Sequence, residues 1–228
     1  MKNFSKLQLA TAIAILFHSI GFIGILFFNS SLVIASTPLN LLLSLGLLVY
    51  TQENKNWAFY ALFLLCFVVG IAVEVIGTST GTLFGEYEYG TVLGPGIRNV
   101  PFIIGVNWFI IIYCCGVSIH GMLSKFSQAL SEQTGGNVKA IKALSVIVDG
   151  ATLAVFFDWI MEPVAVKLGY WTWLGNGEIP FYNYVCWFVV SMLLLFAFHK
   201  LPFSKQNKFA VNLLLIQAMF FLLLRTFL

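Results

Sequence analysis

Residues 58–77 read AFYALFLLCFVVGIAVEVIG, an apolar run whose one charged residue is Glu74. A helix needs about 17–25 mostly apolar residues to cross the hydrocarbon core of a bilayer, so this stretch predicts a transmembrane helix. The rest of the chain is similar: 60% of its 228 residues are hydrophobic and 9% are charged, whereas soluble domains carry about 25% charged residues. The sequence therefore predicts an integral membrane protein, with residues 1–228 forming a single membrane domain.

Seven segments of this kind follow one another along the chain, and Pro38 and Asn40 interrupt the second of them. Their predicted limits are 8–28, 32–50, 58–77, 101–121, 140–161, 181–199 and 208–227. A cytoplasmic amino terminus places nine of the 12 basic residues on the inner side, as the positive-inside rule requires. We therefore expect an all-α polytopic membrane helix bundle of about seven transmembrane helices, with its amino terminus in the cytoplasm, in the inner (cell) membrane of a bacterium.

Four acidic residues fall inside these segments or at their outer ends: Glu74, Asp149, Asp158 and Glu162. A charge at the centre of a membrane helix costs about 2.5–3.5 kcal/mol, so each of them indicates a functional role. Asp158 and Glu162 lie one turn apart on one helix face, whereas Asp149 lies on roughly the opposite face. Like charges repel strongly in a low dielectric, so we expect one member of the Asp158–Glu162 pair to keep a proton and to serve as a general acid.

Two segments between the apolar runs are rich in glycine and aromatic residues. They read GTLFGEYEYGTVLGPGIRNVP at 81–101 and GYWTWLGNGEIPFYNY at 169–184. Irregular backbone cannot face lipid, so we expect both outer loops to fold over the bundle and over the site. An aromatic belt at the membrane interface explains Trp171 and Trp173 equally well. It explains less well why Tyr87 and Tyr89 join them on the acidic side.

Several kinds of chemistry lack their characteristic residues. No DDxxD-like run is present to hold magnesium and diphosphate, and Lys208 lies at the edge of the last segment, too far out for a retinal Schiff base. His18, His120 and His199 are too scattered for a histidine-rich iron site, and neither a GxGxxG nor a Walker motif occurs. We therefore expect no cofactor, no metal ion and no nucleic-acid partner. Acid chemistry remains: a protonated alkene gives a carbocation, which aromatic faces stabilise and water captures.

Several motifs resemble a known family in their order and spacing. GTLFGEYEYGTVLG is followed by VP at 100–101, NW at 107–108, DWIMEPVAVKLGYWTW at 158–173 and IPFYNYVCW at 179–187. Across residues 70–190 the chain resembles the carotenoid biosynthesis membrane proteins that include the carotenoid 1,2-hydratases, although members of that family often carry Asp where this chain has Glu162. The resemblance implies cofactor-independent hydration of the terminal 1,2 double bond of an acyclic carotenoid end group, which gives a tertiary 1-hydroxy carotenoid.

The resemblance and the residues together indicate roles. Either Asp158 or Glu162 is expected to donate the proton, with its partner or Asp149 as the base that activates water, and Glu74 as a further carboxylate of the pocket. The side chains expected to bind the end group are Tyr87, Tyr89, Trp108, Trp171 and Trp173, with Asn183 placing the water. Asn107 is expected to be structural.

Two other functions stay open. A lycopene cyclase protonates the same end group but captures the cation with an internal double bond, and the polar residues near the acids favour water instead. A carotenoid- or lipid-binding protein or transporter would use the carboxylates to carry protons, although no inverted repeat is visible in the sequence. The expected partners are a carotenoid substrate and the lipid bilayer, with other enzymes of the carotenoid pathway as further candidates.

Overall fold

The computed structural model describes residues 4–28, 30–134 and 138–228, with side chains described for 4–28, 30–124 and 140–228. The helices are α1 (Lys6–Phe28), α2 (Ser31–Ala35), α3 (Thr37–Thr51), α4 (Trp57–Thr80), α5 (Phe102–Thr134), α6 (Val138–Lys167), α7 (Phe181–Lys200) and α8 (Lys208–Phe227). Four short strands, β1 (Tyr87–Tyr89), β2 (Gly96–Ile97), β3 (Val100–Pro101) and β4 (Trp171–Trp173), lie in the loops. Among the described residues, six helices are long and apolar enough to cross a membrane. The protein is thus an all-α polytopic membrane bundle, as the sequence predicts.

The second predicted segment, 32–50, is not one continuous helix. It divides at Ser36 into the five-residue α2 and the 15-residue α3. Pro38 explains the division, because proline lacks an N–H donor and is tolerated only in the first turn of a helix. The prediction of a single long helix here was wrong, and α3 is too short to count with the six long helices.

Contacts at the two ends of the bundle show that α3 nevertheless runs its full depth. At one end, Lys6 of α1 lies over the ring of Tyr50, near the carboxyl end of α3, with Nζ 5.5 Å from the ring centroid. At the other end, the Thr37 Oγ1 atom at the start of α3 lies 2.7 Å from the Tyr170 hydroxyl. The carboxyl end of α3 therefore lies beside the start of α1, and its amino end lies beside the residue that precedes β4. Which end faces the cytoplasm stays a prediction.

Helix α6 continues through Pro163 to Lys167, beyond the predicted end at residue 161. A proline inside a helix leaves the carbonyl four residues earlier without its N–H donor, which here is the carbonyl of Trp159. Arg225 of α8 supplies the missing donor: its Nη1 bonds to that oxygen at 2.8 Å, and its guanidinium carbon lies 4.1 Å from the centroid of the Trp159 ring. This contact holds the end of α8 against α6 one turn before Pro163.

The two glycine- and aromatic-rich loops meet in an antiparallel two-stranded sheet, which we call the lid. Tyr87 of β1 lies opposite Trp173 of β4, and Tyr89 lies opposite Trp171. Side chains alternate between the two faces of a strand, so all four rings face the bundle while the residues between them, Glu88 and Thr172, are exposed. The loops thus fold over one end of the bundle, as expected from the sequence.

Trp108 of α5 lies at the centre of the core, beneath the lid. Its ring stacks on Trp187 of α7, with centroids 4.0 Å apart and planes inclined by 13°. On its other side it packs against Gly70 of α4, where a Cβ atom would lie 2.6 Å from Cδ1 of the indole. The absence of a side chain at Gly70 is therefore what lets α4 and α5 approach at this level.

We expect Gly70→Ala to lower the thermal unfolding midpoint in detergent, measured by circular dichroism. The added methyl would displace a rigid indole that has no room to move, and overpacking of this kind costs about 1–3 kcal/mol. The matched control is Gly46→Ala, also inside a helix, where a Cβ would meet no atom within 4 Å. Equal midpoints for the two variants would contradict this account of the packing.

Candidate functional site

Three carboxyl groups from two helices converge beneath the lid. Glu74 comes from α4, and Asp158 and Glu162 come from α6; their exposed fractions are 5%, 0% and 3%. They line one small cavity of about 30 Å³, and about 10–15 Å³ on this measure is enough for a water molecule. The other lining residues are Phe84, Tyr87, Tyr89, Ile104, Asn107, Trp108, Met161, Trp171, Trp173, Asn183 and Trp187. None of these described lining residues is basic.

Glu74 accepts hydrogen bonds from three side chains. The hydroxyls of Tyr87 and Tyr89 donate to its Oε2 at 2.5 Å and 2.8 Å, and the indole Nε1 of Trp108 donates to its Oε1 at 3.0 Å. Strand β1 supplies two of these donors because alternate residues of a strand share one face. An acceptor with both oxygens occupied is best suited to holding the lid on the bundle.

The lid tyrosines remain neutral donors near neutral pH. Burial, together with the nearby Glu74 carboxyl, raises the pKa of Tyr87 and of Tyr89 above the usual value. Burial also raises the pKa of Tyr170, the residue before β4, to about 12. All three hydroxyls therefore keep their protons well into the alkaline range.

Glu162 and Asp158 are bonded differently from Glu74. The indole Nε1 atoms of Trp171 and Trp173 both donate to Oε2 of Glu162 at 3.0 Å. Asn183 of α7 donates from Nδ2 to Oδ2 of Asp158 at 2.9 Å. The other oxygen, Asp158 Oδ1, is shielded from solvent and has no hydrogen-bonding partner among the described residues. A buried polar atom without a partner is costly, and in a cavity it indicates a functional role.

Removing the Glu74 carboxyl should loosen the lid. We expect Glu74→Leu to destabilise the protein by at least about 2 kcal/mol, because two buried donors and the half-buried Tyr89 lose their acceptor, and each loss at a buried donor costs about 1–3 kcal/mol. The thermal midpoint in detergent measures the effect. Glu88→Leu, on the outward face of the lid, should leave that midpoint nearly unchanged. A similar fall in both variants would mean that the three hydrogen bonds contribute little.

A second, larger cavity adjoins the first. It has a volume of about 410 Å³ and is lined mainly by apolar side chains of α1, α3, α5, α6 and α8, among them Phe157 and Phe220. We call it the chamber. Four residues line both the chamber and the small cavity: Ile104, Asn107, Met161 and Trp171. A site of this volume with apolar walls suits a small hydrophobic ligand or one end of a longer one.

Nine of the ten predicted site residues line the small cavity: Glu74, Asp158, Glu162, Tyr87, Tyr89, Trp108, Trp171, Trp173 and Asn183. The tenth, Asp149, lies two to three turns earlier on α6 and is exposed. Because it faces away from the cavity, it cannot contact a molecule bound beside Asp158. The chemical roles given to all ten stay predictions.

Sequence reasoning missed the chamber and the junction residue Asn107. The chamber walls come from helices far apart in the sequence, and no motif marks them. Asn107 was expected to be structural, yet it lines both cavities. Its one sequence signal is its place beside Trp108 in the apolar first half of α5.

Comparison with known proteins yields a family and one curated relative. The sequence model of the family described as "Carotenoid biosynthesis protein" matches residues 25–228. A bisanhydrobacterioruberin hydratase from Haloarcula japonica is 25% identical over 175 residues, which is 75% of this chain and 54% of the relative. This chain thus matches only about half the length of that relative. No solved structure gives a significant match.

Proposed function

This chain belongs to the carotenoid biosynthesis protein family, and from that membership we propose that it hydrates the terminal 1,2 double bond of an acyclic carotenoid end group. The observation that carries the proposal is the unpartnered Oδ1 atom of Asp158, in a cavity large enough for water that adjoins an apolar chamber. The relative named a hydratase supports the same reaction type. No cofactor is required, because acid, water and an apolar site suffice.

The first step is transfer of a proton to the alkene. Asp158 Oδ1–H gives its proton to C-2 of the end group, and the π electrons of the double bond form the new C–H bond. A tertiary cation is left at C-1. The electron-rich faces of the tryptophans and tyrosines around the cavity stabilise this charge. Asn183 keeps hold of Oδ2 throughout, so the carboxyl group stays oriented with Oδ1 towards the substrate.

The second step is addition of water. The oxygen of a water molecule bonds to C-1, and the proton it then loses passes to the Glu162 carboxylate, whose Oε2 the two indoles hold in place. Glu162 lies one helical turn from Asp158, so it can return the proton to the acid. The sum is one alkene and one water giving one tertiary alcohol, with both carboxyl groups restored.

The chamber accounts for the rest of the end group. Its apolar walls and its junction with the small cavity let a hydrocarbon chain lie in the chamber while the terminal double bond reaches Asp158. A bound hydrocarbon chain would then lie in surroundings as apolar as the bilayer core. We propose the cell membrane as the location, where the enzymes that make and consume the carotenoid would be neighbouring partners.

The test is pigment analysis in a carotenoid-producing host that expresses this chain, with lycopene or gamma-carotene as the supplied pathway product. Chromatography with mass detection should reveal a new pigment heavier by one water. An isomeric pigment with a ring would indicate a cyclase, in which an internal double bond captures the cation. Unchanged pigments in both hosts would point to binding or transport and would overturn the hydratase proposal.

A further inference from the structure

The junction between the small cavity and the chamber holds a polar group that the mechanism above does not use. Of the four residues that line both cavities, Ile104 and Met161 are apolar and the indole N–H of Trp171 is bonded to Glu162. Asn107 is the fourth. It is half-buried, and its carboxamide makes no hydrogen bond to any described residue. A carboxamide at such a place has two donor hydrogens and an acceptor oxygen ready for a ligand.

Asn183, the residue that the sequence suggested for binding water, is committed elsewhere. It is 1% exposed, and its Nδ2 donates to Asp158 Oδ2. Asn107 differs in both respects, because it is more exposed and its polar atoms are unshared. Its position is well defined: the next residue, Trp108, is held by Trp187 and by Glu74.

We infer that Asn107 binds the water co-substrate at this junction and so decides whether the cation is hydrated. The inference rests on the proposed function and adds a positioning residue to it. A buried water needs two to four polar partners, and the Glu162 carboxyl in the same cavity provides another. A neutral amide suits the task because it is a far weaker base than a carboxylate and so competes less for a proton of the cation.

A tertiary cation has two competing fates. It can bond to water, or it can lose a proton from a neighbouring carbon to a carboxylate and become an alkene again. The second fate forms no C–O bond and returns the proton to the protein. A water held at Asn107 favours the first fate, so loss of that water should change the ratio of products rather than the rate of protonation.

Deuterium oxide separates the two fates. The protein is purified in lipid nanodiscs and given a carotenoid with a terminal 1,2 double bond in deuterium oxide, and early samples are analysed by mass spectrometry. Hydrated product reports water capture, while deuterium in the recovered alkene reports a cation that formed and lost a proton. The measured quantity is the ratio of hydrated product to deuterated alkene.

For Asn107→Leu we expect this ratio to fall about tenfold, as is typical for loss of a functional hydrogen bond. Asn107→Ala should lower it in the same direction and serves if the leucine variant does not fold. Asn107→Ser, whose hydroxyl can donate and accept, should restore much of the ratio. The matched control is Asn212→Leu, because Asn212 bonds to Thr11 between α8 and α1 and lines neither cavity.

The outcomes are distinct. A fall in the ratio with deuterium uptake preserved supports the inference. An unchanged ratio in both apolar variants, or an equal loss of both products, overturns it and leaves the hydratase proposal standing. A wild-type protein that forms neither product overturns the proposed function, and the role of Asn107 falls with it.

Discussion

Asp158→Asn is expected to reduce the hydration rate by about 10²–10⁴-fold, the usual contribution of a general acid. The carboxamide has no acidic proton to give to C-2, yet it has nearly the same shape, and its oxygen can still accept the hydrogen bond from Asn183. The fold should therefore be kept while the chemistry is lost. The measurement is initial hydration rate in nanodiscs, with protein amount normalised and the thermal midpoint compared with wild type.

The same substitution at Asp149 tests the sequence-based alternative in which Asp149 is the base that activates water. Asp149 lies on the same helix but is exposed and outside the cavity, so we expect turnover of Asp149→Asn to stay within about twofold of wild type. Loss of turnover in the Asp149 variant would contradict its exclusion from the site and would favour Asp149 as the base.

Glu162→Gln should have the second largest effect, a loss of about 10²-fold or more, because a neutral carboxamide cannot take the proton that the attacking water releases. Its oxygen can still accept the two indole hydrogen bonds from Trp171 and Trp173, so the lid should stay closed. Protonation of the alkene does not need this base. We therefore expect deuterium uptake from deuterium oxide to persist while hydrated product falls, which distinguishes this variant from Asp158→Asn.

Two comparisons sharpen the Glu162 prediction. Glu88→Gln makes the same chemical change on the exposed face of the lid and should leave the hydration rate unchanged. Glu162→Asp keeps the carboxyl group with a shorter reach and should retain part of the activity. Unchanged turnover in both Asp158→Asn and Glu162→Gln, at equal expression, would contradict the hydratase mechanism altogether.

The helices were predictable because a backbone inside lipid has no water to bond to, and an apolar run can satisfy its own N–H and C=O groups only as a helix. What the runs do not specify is where a helix stops. Helix α6 passes Pro163 because Arg225 of α8, 66 residues beyond Trp159 in the chain, supplies the donor that the Trp159 carbonyl lacks. The division at Ser36 has a local cause in Pro38, and a rule that stops helices before proline would have found it.

The sequence predicted which residues form the site but not how they are arranged. Carboxyl groups inside apolar runs stand out by their cost, and the alternation of Tyr87 and Tyr89, like that of Trp171 and Trp173, is the period of a strand. Nothing in either loop says that β1 pairs with β4, because pairing across such a separation depends on the whole bundle. The sequence therefore could not tell that the tyrosines bond to Glu74 and the tryptophans to Glu162.

The site also depends on two strands, β1 and β4, that are synthesised far apart in time. Membrane chains are made from the amino terminus onward, so Glu74 and its donors Tyr87, Tyr89 and Trp108 are all synthesised before α6. Asp158 emerges later, and β4 follows within a few residues to pair with the waiting β1. A chain that ends before β4 therefore has the Glu74 part of the site but lacks the two indoles that bond to Glu162.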